Sequence, residues 1–285
     1  MECAICTMTL WEKRVSQTPD MKLRRKVWLF IMSELLENVV SNLRTGVMNA
    51  LDGMLAFLSF AGVIAVIFAA AYIIERLAQK KRGVCEPIFN TRKVVLIGMF
   101  SAISAVLMLF EIPLFFAPGF YKLDFSELPV LIGTFAFGPV AGVMMEFVKI
   151  LLKLIIKGTS TAGVGELANF AVGCSFIVPA SAVYAFKKNK KSAIAACVAG
   201  TLIMTVFGTA FNAIYLLPAF SKLYGMPLES ILAMGTKINP LVREGDIISF
   251  VMACVAPLNL LKGLIVSTIT LFVYKPLSPI IKHGM

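Results

Sequence analysis

Long apolar runs restrict what this chain can fold into more than any other feature. The first, Leu55 to Ile74 (LAFLSFAGVIAVIFAAAYII), holds 20 residues without a charge. At 1.5 Å per residue it reaches ~30 Å, the thickness of a bilayer's hydrocarbon core. A backbone in lipid must satisfy its own N–H and C=O groups, so a helix is the expected element. The run lies too far from the N-terminus to be a signal peptide. Further runs follow at Val94 to Phe116 (interrupted at Pro113), Val140 to Ile156, Leu167 to Phe186 and Ala193 to Leu217. Composition agrees, with 59% hydrophobic residues, only 15% charged and a mean hydropathy of +0.86. Soluble chains carry roughly a quarter charged residues, so an all-α integral membrane protein is expected.

Two segments depart from that pattern. Leu128 to Phe137 offers only ten residues before Gly138-Pro139, and it reads as a half-length or tilted helix with Ser126 as N-cap and Pro129 in its first turn. The last apolar block can start at Ile247, but Pro257 suits a first turn, and Ala256 to Tyr274 spans ~28 Å. The later start is preferred. It leaves Pro218 to Val255 as a long non-spanning segment with room for short amphipathic helices, and long structured loops are usually functional.

The 27 Lys and Arg against 16 Asp and Glu give a net charge of +11. These cations cluster at the ends of apolar runs, which makes them a topology signal rather than a nucleic-acid footprint. Six Lys or Arg fall between Arg76 and Lys93, and four between Lys187 and Lys191. Both loops lie on the cytoplasmic side if a six-helix core has both ends inside, which places the C-terminus in the cytoplasm. Segments 113–127, 157–166 and 218–256 then face out. Residues 1–50 fit this badly. The extra helix would put them outside, yet they hold Lys13, Arg14, Lys22, Arg24, Arg25, Lys26 and Arg44. Either Val27 to Val47 is an amphipathic helix on a surface, or translation starts later, at Met48 or Met54. The expected organisation is an extension over 1–50, an extra transmembrane helix with a basic linker over 51–82, and a six-helix membrane domain over 90–285.

Several chemistries are excluded. His283 is the only histidine, which removes His-based zinc sites, HExxH proteases and Ser/His/Asp triads. The scatter of six cysteines gives no disulfide framework, and Cys3-Ala-Ile-Cys6 is a lone CxxC without a second pair. No metal site is expected. Gly163-Val-Gly165-Glu-Leu-Ala168 fits GxGxxA but follows a loop instead of a strand. No GxxxxGK[ST] occurs, so any pumping must draw on energy from elsewhere. Glu146, Glu166 and Asp246 share no spacing motif and lack a nucleophile, so an intramembrane enzyme is disfavoured.

Polar residues inside spans are expensive, and each calls for a partner or a role. Glu146, Lys149, Lys153 and Lys157 form one helical stripe; the bland reading pairs Glu146 with Lys149 and lets Lys153 and Lys157 snorkel to headgroups. Asn259 and Lys262 share one helix face, either as a structural anchor or as an amide and a cation that read a polar heterocycle. Asn169 and Asn212 lie near the same ends of their spans, flanked by Phe170 and by Phe211 and Tyr215. Interhelical hydrogen bonds explain any one Asn; three with a Lys on one side point to a shared pocket. On the first core helix, Gly98 and Ala102, and Ser101 and Ala105, make small faces suited to close helix contact.

The ordered set Leu123-Asp-Phe-Ser-Glu-Leu-Pro-Val-Leu-Ile-Gly133, Phe137-Gly-Pro-Val-Ala-Gly142, Gly163-Val-Gly-Glu-Leu-Ala-Asn-Phe170, Phe211-Asn-Ala-Ile-Tyr-Leu-Leu-Pro218 and Pro257-Leu-Asn-Leu-Leu-Lys-Gly263 resembles the substrate-binding S components of energy-coupling factor (ECF) vitamin transporters, above all the riboflavin-specific type. The similarity covers residues 90 to 285. It implies a six-helix bundle that captures riboflavin outside the cell and works with a transmembrane coupling subunit and two ATPases. Riboflavin is then a transported ligand, and no cofactor is implied. The resemblance makes 113–127 a gate and places Gly98, Ser101, Ala102 and Ala105 against the coupling subunit. It assigns Asn259 and Lys262 to the ligand, with Asp124, Asn169, Asn212 and Tyr215 as further substrate-binding positions. Thiamine or biotin is the alternative cargo, because a few pocket residues set the ligand.

Overall fold

The computed structural model describes residues 61–84, 86–159, 161 and 163–283, with isolated helical positions between 26 and 41. The two readings of residues 1–50 fall almost wholly outside the described residues, as does the stretch from Leu55 to Phe60. Helix α1 runs from Ala61 to Arg82. After Asn90, whose side chain accepts the Lys93 N–H as an N-cap, come α2 (Thr91–Leu109), a short antiparallel hairpin of β1 (Ile112–Pro113) and β2 (Lys122–Leu123), α3 (Glu127–Phe137), α4 (Pro139–Lys157) and α5 (Val164–Phe186). Helix α6 (Lys190–Phe211) passes through a wider π turn (Asn212–Leu216) into α7 (Leu217–Tyr224). Then α8 (Leu228–Thr236) precedes α9 (Ile247–Phe250), a second π turn (Val251–Val255) and α10 (Ala256–His283).

Among the described residues five helical stretches are long and apolar enough to cross a membrane: Ala61–Arg82, Thr91–Leu109, Val164–Phe186, Lys190–Tyr224 and Ile247–Val273. Helix α3 is short, as its sequence indicates. Ser126 does precede it, but in helical backbone (φ −63°, ψ −25°) and without a side-chain cap. Asp124 stands in for the missing cap, since its Oδ1 accepts the Ser126 N–H at 2.9 Å and the Ser126 hydroxyl as well.

The preferred late start of the last span is corrected. The helix begins at Ile247, capped by Asp246 Oδ1 on the Ile248 N–H, and runs through Pro257. A proline in a helix orphans the carbonyl four residues back. Here that carbonyl, Ala253 O, accepts from Asn239 Nδ2 at 3.1 Å, and the π turn relieves the ring. The preceding span likewise continues past Leu217 to Tyr224 before Gly225 closes it. These corrections shorten the non-spanning segment, within which α8 is the short helix that the sequence allows.

Candidate functional site

Residues of α2, α4, α5, α7, α8 and α10, with both π turns, line a cavity of about 810 Å³ at the bundle end that carries the hairpin and Gly158, Thr159 and Thr161. The hairpin register, Ile112 with Leu123 and Pro113 with Lys122, sends residues 114–121 across that end. Tyr121 is thereby buried, and its hydroxyl donates to Asn212 Oδ1 at 2.7 Å. Asn239 Nδ2 and the Cys254 thiol both reach the Phe116 carbonyl and tie the loop down. The π turns of the α6–α7 and α9–α10 helices pack against each other beside the cavity, and Asn212 opens the first of them.

Five of the six positions expected to bind substrate line this cavity: Asp124, Asn169, Asn212, Asn259 and Lys262. Tyr215 does not. It is 41% exposed and packs on Phe211, ring centroids 5.1 Å apart, because the π turn rotates it away from Asn212. Asn169 Nδ2 donates to Gly165 O at 3.1 Å and Asn212 Nδ2 to Gly208 O at 2.7 Å. Asn259 differs from both. It is 4% exposed, and its Nδ2 has no hydrogen-bond partner among the described residues. A Cβ on Gly208 would sit 2.5 Å from that nitrogen, so only glycine there lets the amide in. An unpaired buried donor costs ~1–3 kcal/mol, a cost that a ligand acceptor would remove.

A buried ionic cluster drawn from three segments meets the cavity wall at Asp124 and Lys262 and continues behind it. Lys262 Nζ lies 3.0 Å from Asp124 Oδ2 and 3.1 Å from Glu127 Oε1. The other oxygen of Glu127 meets Lys149 Nζ at 2.9 Å, and Lys149 is 2.5 Å from Glu146. Glu146 is paired by distance alone, since no hydrogen bond to either of its oxygens has good alignment. Burial by itself would raise the Asp124 carboxyl, but the Lys262 ammonium, with Lys149 and the Ser126 hydrogen bond, holds it below its ordinary value. Glu127 and Lys149 are the parts that reading the sequence for ligand contacts misses. Their signal was the run of charges Lys122, Asp124 and Glu127 leading into α3 and the stripe of Glu146, Lys149, Lys153 and Lys157 on α4.

The snorkelling reading of Lys153 and Lys157 is also corrected. Lys153 pairs with Glu166 at 2.6 Å, and Lys157 with Glu111 at 3.0 Å; all four line the cavity. Of the proposed coupling face, only Gly98 and Ala102 point outward. Ser101, whose hydroxyl donates to Ile97 O, and Ala105 are buried in the bundle. The two pairs lie about 60° apart round the helix, enough to leave Gly98 and Ala102 on the outer side while Ser101 and Ala105 turn into the bundle.

Comparison with known proteins follows the same lines. The family described as "ECF transporter, substrate-specific component" matches residues 92–274. "Riboflavin transporter RibU" of Staphylococcus aureus (strain TCH60) is 33% identical over 194 residues, 68% of this chain and 94% of the relative. "Riboflavin transporter FmnP" of Bacillus subtilis (strain 168) is 32% identical over 196 residues, 68% of this chain and 96% of the relative. A solved structure described as the S component of a bacterial ECF transporter superposes with a TM-score of 0.53 at 33% identity, covering 67% of this chain and 98% of that one.

Proposed function

The chain belongs to the substrate-specific components of ECF transporters, and we propose that it captures riboflavin in the 810 Å³ cavity. The unpartnered Asn259 amide, set beside Lys262 and Asp124 on the cavity wall, carries this reading. Riboflavin is neutral, with a flat ring system, one polar edge of carbonyls and an N–H, and a chain of hydroxyls. Asn259 and Lys262 donate to the carbonyls, while Asp124 and the Asn212 side chain offer acceptors. The ammonium of Lys262 is already neutralised by Asp124 and Glu127, so the site presents donors without a net cationic clamp. Leu216, Phe220 and Leu258 supply apolar wall. Pockets for such ligands typically occupy ~300–1,000 Å³.

In this reading segment 113–127 is the gate and the Tyr121–Asn212 hydrogen bond its latch. The cavity end faces outside, the basic loops and the C-terminus lie in the cytoplasm, and residues 90–285 form the transport domain. Since the sequence has no P-loop, uptake draws its energy from the coupling subunit and two ATPases of an ECF module. Gly98 and Ala102 are the part of the first core helix left for that contact.

The test is a visible absorbance spectrum of the full-length protein purified in detergent from cells grown with riboflavin. An oxidised flavin band that vanishes on denaturation and dialysis supports the reading. A colourless protein that binds thiamine or biotin when these are added moves it to another vitamin.

A further inference from the structure

The family match begins at residue 92, after α1, so nothing in that family accounts for this helix. Its buried positions nonetheless form a single stripe. Ala71, Glu75, Ala78 and Gln79 are all 5% exposed or less, while Val63, Val66, Tyr72, Ile73 and Leu77 face outward. Spacings of three and four residues describe a helix docked along one side. Glu75 is the anomaly in that stripe, the one charged residue among Ala71, Ala78 and Gln79.

Its destination explains it. Glu75 Oε2 accepts the N–H of Val140 at 3.0 Å. Val140 is in the first turn of α4, where backbone N–H groups have no partner within the helix and an anion meets the positive end of the helix dipole. Gly138 makes room: its φ of +104° suits glycine, and a Cβ there would lie 3.0–3.1 Å from the Glu75 carboxyl atoms. No N-cap side chain serves α4 from its own sequence. Higher up, the Phe68 and Phe147 rings meet edge to face at 6.2 Å, and Lys81 lies over the Phe186 ring at 5.3 Å. Thus α1 touches both α4 and α5.

Helix α4 is the element that links this cap to the cavity. Past Val140 it carries Glu146 and Lys149 of the ionic cluster, then Lys153 and Lys157 on the cavity wall. A helix is stiff along its axis, so fixing one end fixes the register of the other. We propose that α1 is a working part of the binding bundle and that Glu75 is a positioning residue, which caps α4 and so holds Lys149, Lys153 and Lys157 in register with the cavity. Glu75 does not touch the ligand.

The affinity arm of the test rests on the riboflavin reading; the exchange arm does not. In full-length protein, Glu75→Leu removes the acceptor, whereas Glu75→Gln keeps an oxygen for the Val140 N–H. Amide exchange over residues 138–143 is expected to speed up at least tenfold in Glu75→Leu, with faster exchange also over 153–166 at the far end of α4. Riboflavin affinity should fall about tenfold. Glu75→Gln should stay within about threefold of wild type in all three measurements. Unchanged exchange at 138–143 in Glu75→Leu overturns the cap. Faster exchange there with no change over 153–166 overturns the positioning role, whatever the ligand, and an affinity within twofold of wild type does the same. If wild type binds no riboflavin, the functional reading fails, and the two exchange windows still decide this proposal. If Glu75→Leu does not accumulate in membranes, Glu75→Ser, which is tolerated in membrane helices but too short to reach Val140, takes its place with the same expectations.

Discussion

Lys262 shows how burial changes the meaning of a substitution. From the sequence it is an ammonium near the end of a span, and replacing it with Met separates charge from volume. In the structure it neutralises Asp124 and Glu127, and removing one partner of a buried pair costs ~3–5 kcal/mol because the other charge stays behind. Lys262→Met is therefore expected to lower the melting temperature as well as riboflavin affinity. Asp124→Asn combined with Lys262→Met should recover much of the stability while affinity stays down about tenfold to a hundredfold, the equivalent of ~1.5–3 kcal/mol. Recovery of both would mean that Lys262 is only an anchor. Asn259 gives the cleaner separation, because its amide donates to nothing among the described residues. Asn259→Ala should weaken riboflavin binding about tenfold with the melting temperature unchanged or slightly raised, as calorimetry and a thermal melt can show. Asp124 adds a pH test. Its carboxyl is held below the ordinary 3.8, so its contribution is complete above that value and is lost as pH falls through the lower folded one. Melting temperature should be flat from about pH 7 to 5 and decline below, and Asp124→Asn should reduce the slope of that decline. Asn169, Asn212, Asn259 and Lys262 were legible in the sequence because polar groups in apolar runs stand out. Tyr215 was misplaced because a π turn shifts side chains round the helix, and no local sequence signal marked that turn.

At the scale of elements, the apolar runs gave the helices, and the short α3 followed from Gly138-Pro139. The ends of the last two spans did not follow. Pro257 reads locally as a start, yet a side chain from a distant loop, Asn239, satisfies the carbonyl that it orphans. Such long-range compensation leaves no mark beside the proline. The hairpin, two residues per strand, is equally too short to show as an alternating pattern. The first core helix carries a prediction of its own. Ala102 is exposed and Ala105 is 1% exposed, so the two positions should now part company. Ala102→Trp is expected to leave riboflavin binding intact and abolish uptake by separating the helix from its coupling partner. Ala105→Trp should instead destabilise the isolated protein, since overpacking a core costs ~1–3 kcal/mol or more. Uptake that survives Ala102→Trp would remove this face from the contact.

The described residues form a helical bundle in which Asp124, Glu127, Glu146, Lys149, Glu166 and Lys262 are buried at or near one cavity, and the sequence has no P-loop. Composition and the apolar runs were enough for the bundle. The ionic cluster was not legible, because Asp124, Glu127, Lys149 and Lys262 are spread over three segments that only tertiary packing brings together. That clustering puts charges already paired with one another next to an unpaired donor, which suits a neutral, polar-edged ligand better than an ion. Calorimetric titration of riboflavin into the ligand-free, full-length protein, without ATP or partner subunits, tests this most directly. The account predicts saturable binding at one site per chain. No heat from riboflavin, together with saturable binding of thiamine or biotin to the same preparation, would contradict it.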